Sequence, residues 1–427
     1  MKYQNRININ SFSPFSFKNY LHLFLIFAAV TASGPFVLKE FSWHPGKALV
    51  ISILVIFLFI FVIRRNVVFS KFSIYVSCLI FVQILYFITK NMYHFQYSYF
   101  NNILLFVGLI ITIIFIISFM GFEKFIYSNI IFFSLLSLIC FLGFLLALFG
   151  KIEPQYFFDR GNGETVYHFY LTTANTLFPV GGGYIIKMAG IFTEGGTMGF
   201  YIIHILLLNK LSYNNKNYER ILLVAGLPTF SIAFYTSVFI YYILFYFNRS
   251  SLKTFLFSSG LLVLSFYLIG YYNDTNSTAS YINAFIIERI GPNGTGVTGG
   301  GNRAELLSGS LPYIAERPLL GYGYKYLMTT LGTAYQASIA GQVVMHGFLG
   351  IVFVFLHFII LAIRSFQLAI LNGNFLFLKA SCLMAINYIQ RPYISSYYIY
   401  LIIISMLYLL THYYEKKYRL IKMPAIN

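Results

Sequence analysis

Negative charge is scarce in this chain. Asp and Glu number 12 among 427 residues, against 29 Lys and Arg, and all charged residues together make up 10%. A soluble domain carries about a quarter charged residues, so a single water-soluble globule is excluded. Cysteine is nearly missing too: Cys78, Cys140 and Cys382 all fall within apolar runs. They offer neither a disulfide framework nor metal-ligand spacing. No phosphate-binding P-loop is present, which excludes ATP-driven transport of that kind. There is no Asp-x-Asp pair to hold a metal with a nucleotide sugar, and no His-Glu-x-x-His. Acidic residues are almost absent from the apolar runs, which argues against a proton-coupled transporter. Gly294-Thr-Gly-Val-Thr-Gly299 matches the letters of a dinucleotide fingerprint but follows no strand of a βαβ unit, so it reads as a flexible loop. The expectation is no cofactor and no metal.

What is abundant is apolar. Hydrophobic residues are 59%, with 48 Phe and 37 Tyr, many of them suited to lipid-facing packing and interface belts. Runs of spanning length begin near Leu21, Gly46, Phe72, Phe100 and Asn129. Others cover Met188–Leu208, Ile221–Phe247, Leu252–Tyr271, Ser338–Ile363, Phe375–Ile389 and Tyr393–His412. The expected fold class is all-α: a polytopic transmembrane helical bundle of about 11–12 segments with two large polar loops. Five regions follow: transmembrane segments over 1–150, a first loop over 151–189, central segments over 190–271, a second loop over 272–337, and C-terminal segments with a tail over 338–427.

The net charge of +17 would suggest nucleic acid in a soluble protein. Here the membrane accounts for it, because Lys and Arg sit in short connections and tails, and no nucleic-acid partner is expected. Lys2, Arg6, Lys18, Arg64, Arg65, Lys71, Lys124, Lys210, Lys216, Arg220 and the cluster Lys416–Lys422 fall on one side if Ile221–Phe247 is two segments hinged at Pro228. Proline breaks the helical bond ladder at that point. Both termini are then cytoplasmic, and both large loops face outward.

One polar island interrupts the second half of the chain, from Gly299 to Gly323. Asn302 with Glu305 three residues on reads as a helix N-cap with its capping partner. Arg303 then stands in the first turn, where backbone N–H groups and a guanidinium suit a phosphate. Arg317-Pro-Leu-Leu-Gly-Tyr-Gly323 ends the helix and adds a second Arg beside two glycines. In the first loop stand Arg160, Glu164, His168 and Gly181-Gly-Gly183, leading into Lys187-Met-Ala-Gly-Ile-Phe-Thr-Glu194-Gly-Gly. Glu194 enters an apolar segment, where an ionisable group is functional or paired, with Lys187 or an Arg of the second loop as its partner. His204 and His357 lie in apolar runs and are expected to hydrogen-bond within the bundle. Gly347-Phe-Leu-Gly350, after His346, reads as a small-residue face for close helix contact. Outer-face Arg groups beside a bilayer suit a lipid diphosphate, whose departing charge Arg can stabilise.

Arg303 with Pro318-Leu-Leu-Gly-Tyr-Gly323 resembles the second periplasmic loop of the O-antigen polymerase and ligase superfamily. Lys187–Gly196 resembles the segment leading from that family's first large loop, Thr229-Phe-Ser231 its Thr/Ser step, and Gly347–Gly350 its glycine pair. The resemblance covers about the C-terminal two-thirds. It implies a metal-independent glycosyltransferase of the lipid-donor (GT-C) type in a Gram-negative inner membrane, its site facing the periplasm. The implied substrate is an undecaprenyl-diphosphate-linked oligosaccharide, and a polysaccharide chain-length regulator is an implied partner alongside the bilayer. Under it Arg303, Arg317, Lys187 and Arg160 bind diphosphate, with Glu194 first and Glu305 second as candidate base. Gly321, Gly323, Tyr324, His168 and His346 complete the substrate-binding set. Two departures stand out: Lys187 replaces a frequent Arg, and Gln336 replaces the His of the ligases' motif. The second favours a repeat-unit polymerase over a ligase. A lipid-linked oligosaccharide flippase is the alternative from another class.

Overall fold

The computed structural model describes residues 26, 70–94, 97–159, 165–180, 183–247, 303–332, 335, 338–392 and 396–422. These are mostly helical (78%). Three helices come first: α1 (Lys71–His94), α2 (Tyr97–Phe115) and α3 (Phe122–Leu148). A four-stranded sheet follows, then α4 (Gly195–Leu211), α5 (Lys216–Gly226) and α6 (Ile232–Tyr246). Further on come α7 (Arg303–Glu316), α8 (Ile339–Val354), α9 (Leu356–Asn372), α10 (Leu376–Gln390) and α11 (Tyr397–Lys422).

Lys71–Lys90 and Phe122–Leu148 are each long and apolar enough to cross a membrane. The α8–α9 pair, bent by 48°, makes a third span if taken as one. Shorter apolar helices include Ala233–Tyr246, Leu376–Ile389 and Tyr397–His412. The apolar helices mark a membrane-associated protein. Apart from Ile26, the expected runs near Leu21, Gly46 and Leu252–Tyr271, and the letters Gly294–Gly299, lie outside the described residues.

At the centre stands α4, buried at every position from Gly195 to Asn209. Its sequence is apolar on all sides, so no face is left for water. It packs against α3, α5, α6, α10, α11 and the last strand. Its one histidine is satisfied inside the bundle: His204 Nδ1 lies 2.8 Å from the Phe200 carbonyl and Nε2 2.9 Å from the Tyr388 hydroxyl. Tyr201 is tied to Ser396 at the start of α11, 2.8 Å away. His357 differs from expectation. It is buried edge-on to Tyr400, at 5.3 Å between centroids, and neither ring nitrogen has a hydrogen-bond partner among the described residues.

The hinge at Pro228 reverses the chain. A 3₁₀ turn, Leu227–Thr229, follows α5, and Phe230 takes a left-handed conformation before Ser231 caps α6. The far ends of the hairpin meet. Glu219 near the start of α5 accepts hydrogen bonds from Tyr241 (3.2 Å) and Tyr246 (2.5 Å) of α6, and pairs with Lys216 at 3.0 Å. Lys210, in the last turn of α4, donates to Tyr246 at 2.7 Å. Ile221–Phe247 is therefore two antiparallel pieces.

Contacts order the two ends of the bundle. Phe72 and Phe122, at the starts of α1 and α3, pack on Tyr408 near the middle of α11, at 5.4 and 4.9 Å. Tyr213, just after α4, donates to the Glu123 carbonyl at 3.0 Å. Lys71, Lys124, Lys210, Lys216 and Arg220 thus share one end. The sheet, the Pro228 hinge and the start of α4 form the other.

The first loop departs from the all-α expectation. It builds an antiparallel meander, β1 (Tyr156–Asp159), β2 (Thr165–His168), β3 (Thr173–Val180) and β4 (Gly183–Gly190). Threonines, aromatics and β-branched residues fill it, and these suit a pleated surface. Lys187 and Met188 belong to β4, so the membrane-type helix begins at Gly195 rather than Met188. Ser338–Ile363 is also not one helix. It breaks at Gly347, whose backbone is non-helical, and bends again at Phe355.

Candidate functional site

Glu194 is the N-cap residue of α4, with extended backbone. Sheet side chains fix the turn that delivers it. Thr173 Oγ1 donates to the Gly190 and Phe192 carbonyls at 2.9 and 2.5 Å, and Asn175 Nδ2 donates to the Thr193 carbonyl at 2.6 Å. All of these side chains are buried. The carboxylate then meets Arg391, the C-cap residue of α10: Nη1 to Oε2 is 2.6 Å, and Nη1 to Thr197 Oγ1 is 3.5 Å. Both charges suit their helix ends, an anion at the N-terminus of α4 and a cation at the C-terminus of α10. The Arg391 and Glu194 side chains are 22% and 27% exposed, so the pair is reachable at the end of a helix that is otherwise closed.

The two glycines after Glu194 make this approach feasible. A Cβ on Gly196 would stand 2.1 Å from the Arg391 guanidinium. One on Gly195 would stand 2.6 Å from the Thr229 carbonyl and 2.7 Å from that of Met188. The Glu194-Gly-Gly and Thr229-Phe-Ser231 motifs, far apart in sequence, therefore touch. Arg391 was missed by sequence reading. Its one signal is that it is the lone charge between Lys379 and Glu415.

The second cluster gathers around α7 and α8. The helix starts at Arg303 and ends at Glu316, with Arg303 and Glu305 in its first turn. Arg317 is exposed, its guanidinium 4.7 Å from the centre of the Tyr322 ring, which stacks on Tyr326 at 4.4 Å. Pro318–Gly323 is laid onto the break in α8. Tyr322 and Gly323 N–H donate to the Val344 and Met345 carbonyls at 2.8 and 3.0 Å. Phe348 and Leu349 N–H donate to the Pro318 and Leu319 carbonyls at 2.7 and 3.2 Å. The break at Gly347 frees these groups, and the loop satisfies them.

Gly321 and Gly347 both have positive φ, at 62° and 70°; Gly321 faces the Val344–Gly347 backbone, and Gly347 faces that of Leu319 and Leu320. Gly347 is thus a docking point for the loop rather than a helix-contact residue. Gly350 keeps the expected role, since its missing Cβ leaves room for Tyr86 of α1. His346 is buried, with Nδ1 3.0 Å from the Tyr86 hydroxyl. Lys90 donates to the Leu320 carbonyl. Gln83 donates to the Phe353 carbonyl at 2.7 Å, at the second bend. One face of α1 thereby serves both interruptions of the α8–α9 span. Tyr324 opens the short turn after the loop and packs on the main core.

Connectivity puts the two clusters at one end. The α8–α9 unit runs from the loop to the far end, and α10 returns to Arg391. Arg303, Arg317, Glu194 and Arg391 thus share the end that carries the sheet. Lys187 lies in β4 opposite Asn175, partly buried. His168 lies in β2, 5.8 Å from the Tyr156 ring across the strand pair. Arg160, Asn302 and Gln336 lie outside the described residues.

Burial holds the His168 imidazole below its ordinary pKa. The unfolded segment therefore binds a proton at a higher pH than the folded one. Stability of the sheet is full above about pH 6.5, and it falls as acid charges the unfolded state first. Hydrogen-exchange protection in β2 and β3 should drop as the pH falls through about 6.5 in the native chain and not in His168→Gln.

No protein-family model matches this chain, and no curated protein matches it in sequence.

Proposed function

We propose that this chain is a membrane glycosyltransferase that polymerises undecaprenyl-diphosphate-linked oligosaccharide repeat units. It would move the growing glycan onto the non-reducing end of a new lipid-linked unit, at the periplasmic face of the inner membrane. The observation that supports this best is the reachable Glu194–Arg391 pair at the end of a wholly buried helix, on the same end as Arg303 and Arg317. Among the described helices, charge gathers at the ends of the bundle, which suits a lipid whose head reacts at the surface while its tail stays in the bilayer.

Glu194 accepts the proton of the acceptor hydroxyl as its oxygen bonds to the anomeric carbon of the donor. The bond from that carbon to the diphosphate oxygen breaks, and the electron pair leaves with undecaprenyl diphosphate. Arg303 and Arg317 stabilise the charge that develops there. Arg391 orients the base. Lys187 and Arg160 are the assisting cations, Glu305 is the second carboxylate, and His168, His346, Gly321, Gly323 and Tyr324 belong to the expected sugar-binding surface. Arg303→Lys keeps the charge and loses the bidentate fork, so turnover should fall roughly tenfold at unchanged protein level.

Polymerase is favoured over ligase by Gln336, whose amide takes no proton at neutral pH. Deleting the gene should leave lipopolysaccharide with core plus a single repeat unit. Bare core, with long polymer accumulating on undecaprenyl diphosphate, would assign the ligase reaction instead.

A further inference from the structure

Among the described residues, the polar island carries an apolar face that nothing covers. On α7, Leu306 and Ser310 are buried against α8, while Leu307 and Leu311, one turn apart, are 51% and 54% exposed. Past the helix end, Leu319 and Leu320 are 65% and 47% exposed. The backbone bonds at the α8 break set these leucines directly beside Phe348 and Leu349, themselves 53% and 48% exposed. Leu319, Leu320, Phe348 and Leu349 are held together by main-chain hydrogen bonds rather than by side-chain contact, so these four move as a unit with α8, and α7, which packs on α8, leads into them.

We propose that this surface is a membrane-docking face, with α7 lying in the plane of the bilayer and its leucines among the outer acyl chains. The argument is continuity with the α8–α9 span. No Asp, Glu, Lys or Arg stands between Gly347 and Arg364. Those residues measure roughly 24 Å along the bent helix pair, most of the way across a hydrocarbon core of about 30 Å once Arg364 snorkels. Gly347 then marks the membrane boundary, and whatever is hydrogen-bonded to it lies at that depth. The exposed Arg317 lies over the buried Tyr322, with the half-buried Tyr313 and Tyr326 beside it, so a cation and two partly exposed tyrosines stand where lipid head groups would be. An anionic bilayer is therefore the occupant. The inference rests on the leucine face and the adjoining span, which hold without Arg317, the residue that the glycosyltransferase reading gives to the diphosphate.

The test uses the full chain with Cys78, Cys140 and Cys382 replaced by alanine. Single cysteines at Leu311, at Leu320 and, as a control, at the exposed Glu316 carry a bimane label, in nanodiscs of phosphatidylethanolamine and phosphatidylglycerol. A lipid with a nitroxide near the top of its acyl chain should quench the Leu311 and Leu320 labels roughly twofold more than the Glu316 label, and aqueous iodide should show the reverse order. Leu307→Cys repeats the measurement if Leu311→Cys fails to fold. Equal quenching at all sites would overturn the proposal. So would labels at Leu311 and Leu320 shielded from both quenchers but uncovered when the protein is diluted in lipid, because a second copy would then be the occupant.

Discussion

Glu194→Gln is expected to lower turnover by about 10²–10³-fold while donor binding stays within a few-fold. The amide keeps the shape of the side chain and can still accept from Arg391, so the N-terminal turn of α4 should hold. What is lost is the proton acceptor. Arg391→Ala is expected to cost nearly as much, through a different route. It leaves the carboxylate about a quarter exposed at a closed helix end, without the guanidinium 2.6 Å away that orients it. Breaking a fully buried pair costs about 3–5 kcal/mol, so a partly exposed one should cost about 2. Arg391→Lys should recover part of the lost turnover, since it returns the charge without the fork. A steady-state analysis of all three variants separates the readings. If Glu194→Gln retains full turnover while Arg391→Ala is unstable, the pair is a structural clamp and the base lies elsewhere.

Gly347→Ala is expected to be the most damaging single substitution in the second cluster. Its backbone, at φ 70° and ψ 171°, is one that only glycine adopts without strain. The new Cβ would lie 2.1 Å from the Leu319 carbonyl oxygen and 2.3 Å from its carbon, both backbone atoms that cannot turn aside. Strain and the lost loop bonds together should cost about 3–5 kcal/mol. Gly373→Ala is the matched control, since its φ is also positive, at 62°, but nothing lies within 4 Å of the added carbon. It should cost only about 1 kcal/mol. Lys325 is already exposed, so what release of the loop from α8 adds is a mobile backbone there, and trypsin should cut after Lys325 much faster in Gly347→Ala than in the control. Equal cleavage rates in the two variants would show that the loop does not depend on the break.

Part of this arrangement could be read before any coordinates. The hinge at Pro228 was legible because proline forbids a continuous ladder and the basic residues balanced only with a reversal there. Glu194 was legible because a carboxylate in an apolar run always asks for a reason. Its partner was not, because Arg391 lies 197 positions away and pairing across helices leaves no local periodicity. Gly347 misled for a related reason. A glycine three residues before another suits both a close helix contact and a positive φ, and only the loop docked against it distinguishes the two.

The sheet was hidden by its own composition. Its threonines and glycines made 151–189 look like a polar loop, although Thr165-Val-Tyr-His and Tyr184-Ile-Ile carry good strand formers. Gln83, Tyr86 and Lys90 form a face at three- and four-residue spacing, yet each is isolated within an apolar helix. Their purpose appears only when the freed carbonyls of Leu320, Phe353 and the neighbouring turn are in view.

The most direct measurement reconstitutes the purified full-length protein in nanodiscs with a single undecaprenyl-diphosphate-linked repeat unit, in EDTA and without nucleotide sugar. The expected result is a ladder of lipid-linked oligomers, with one undecaprenyl diphosphate released for each new linkage and the ladder lost in Glu194→Gln. Absence of any oligomer from native protein that is folded and binds the donor would contradict the account.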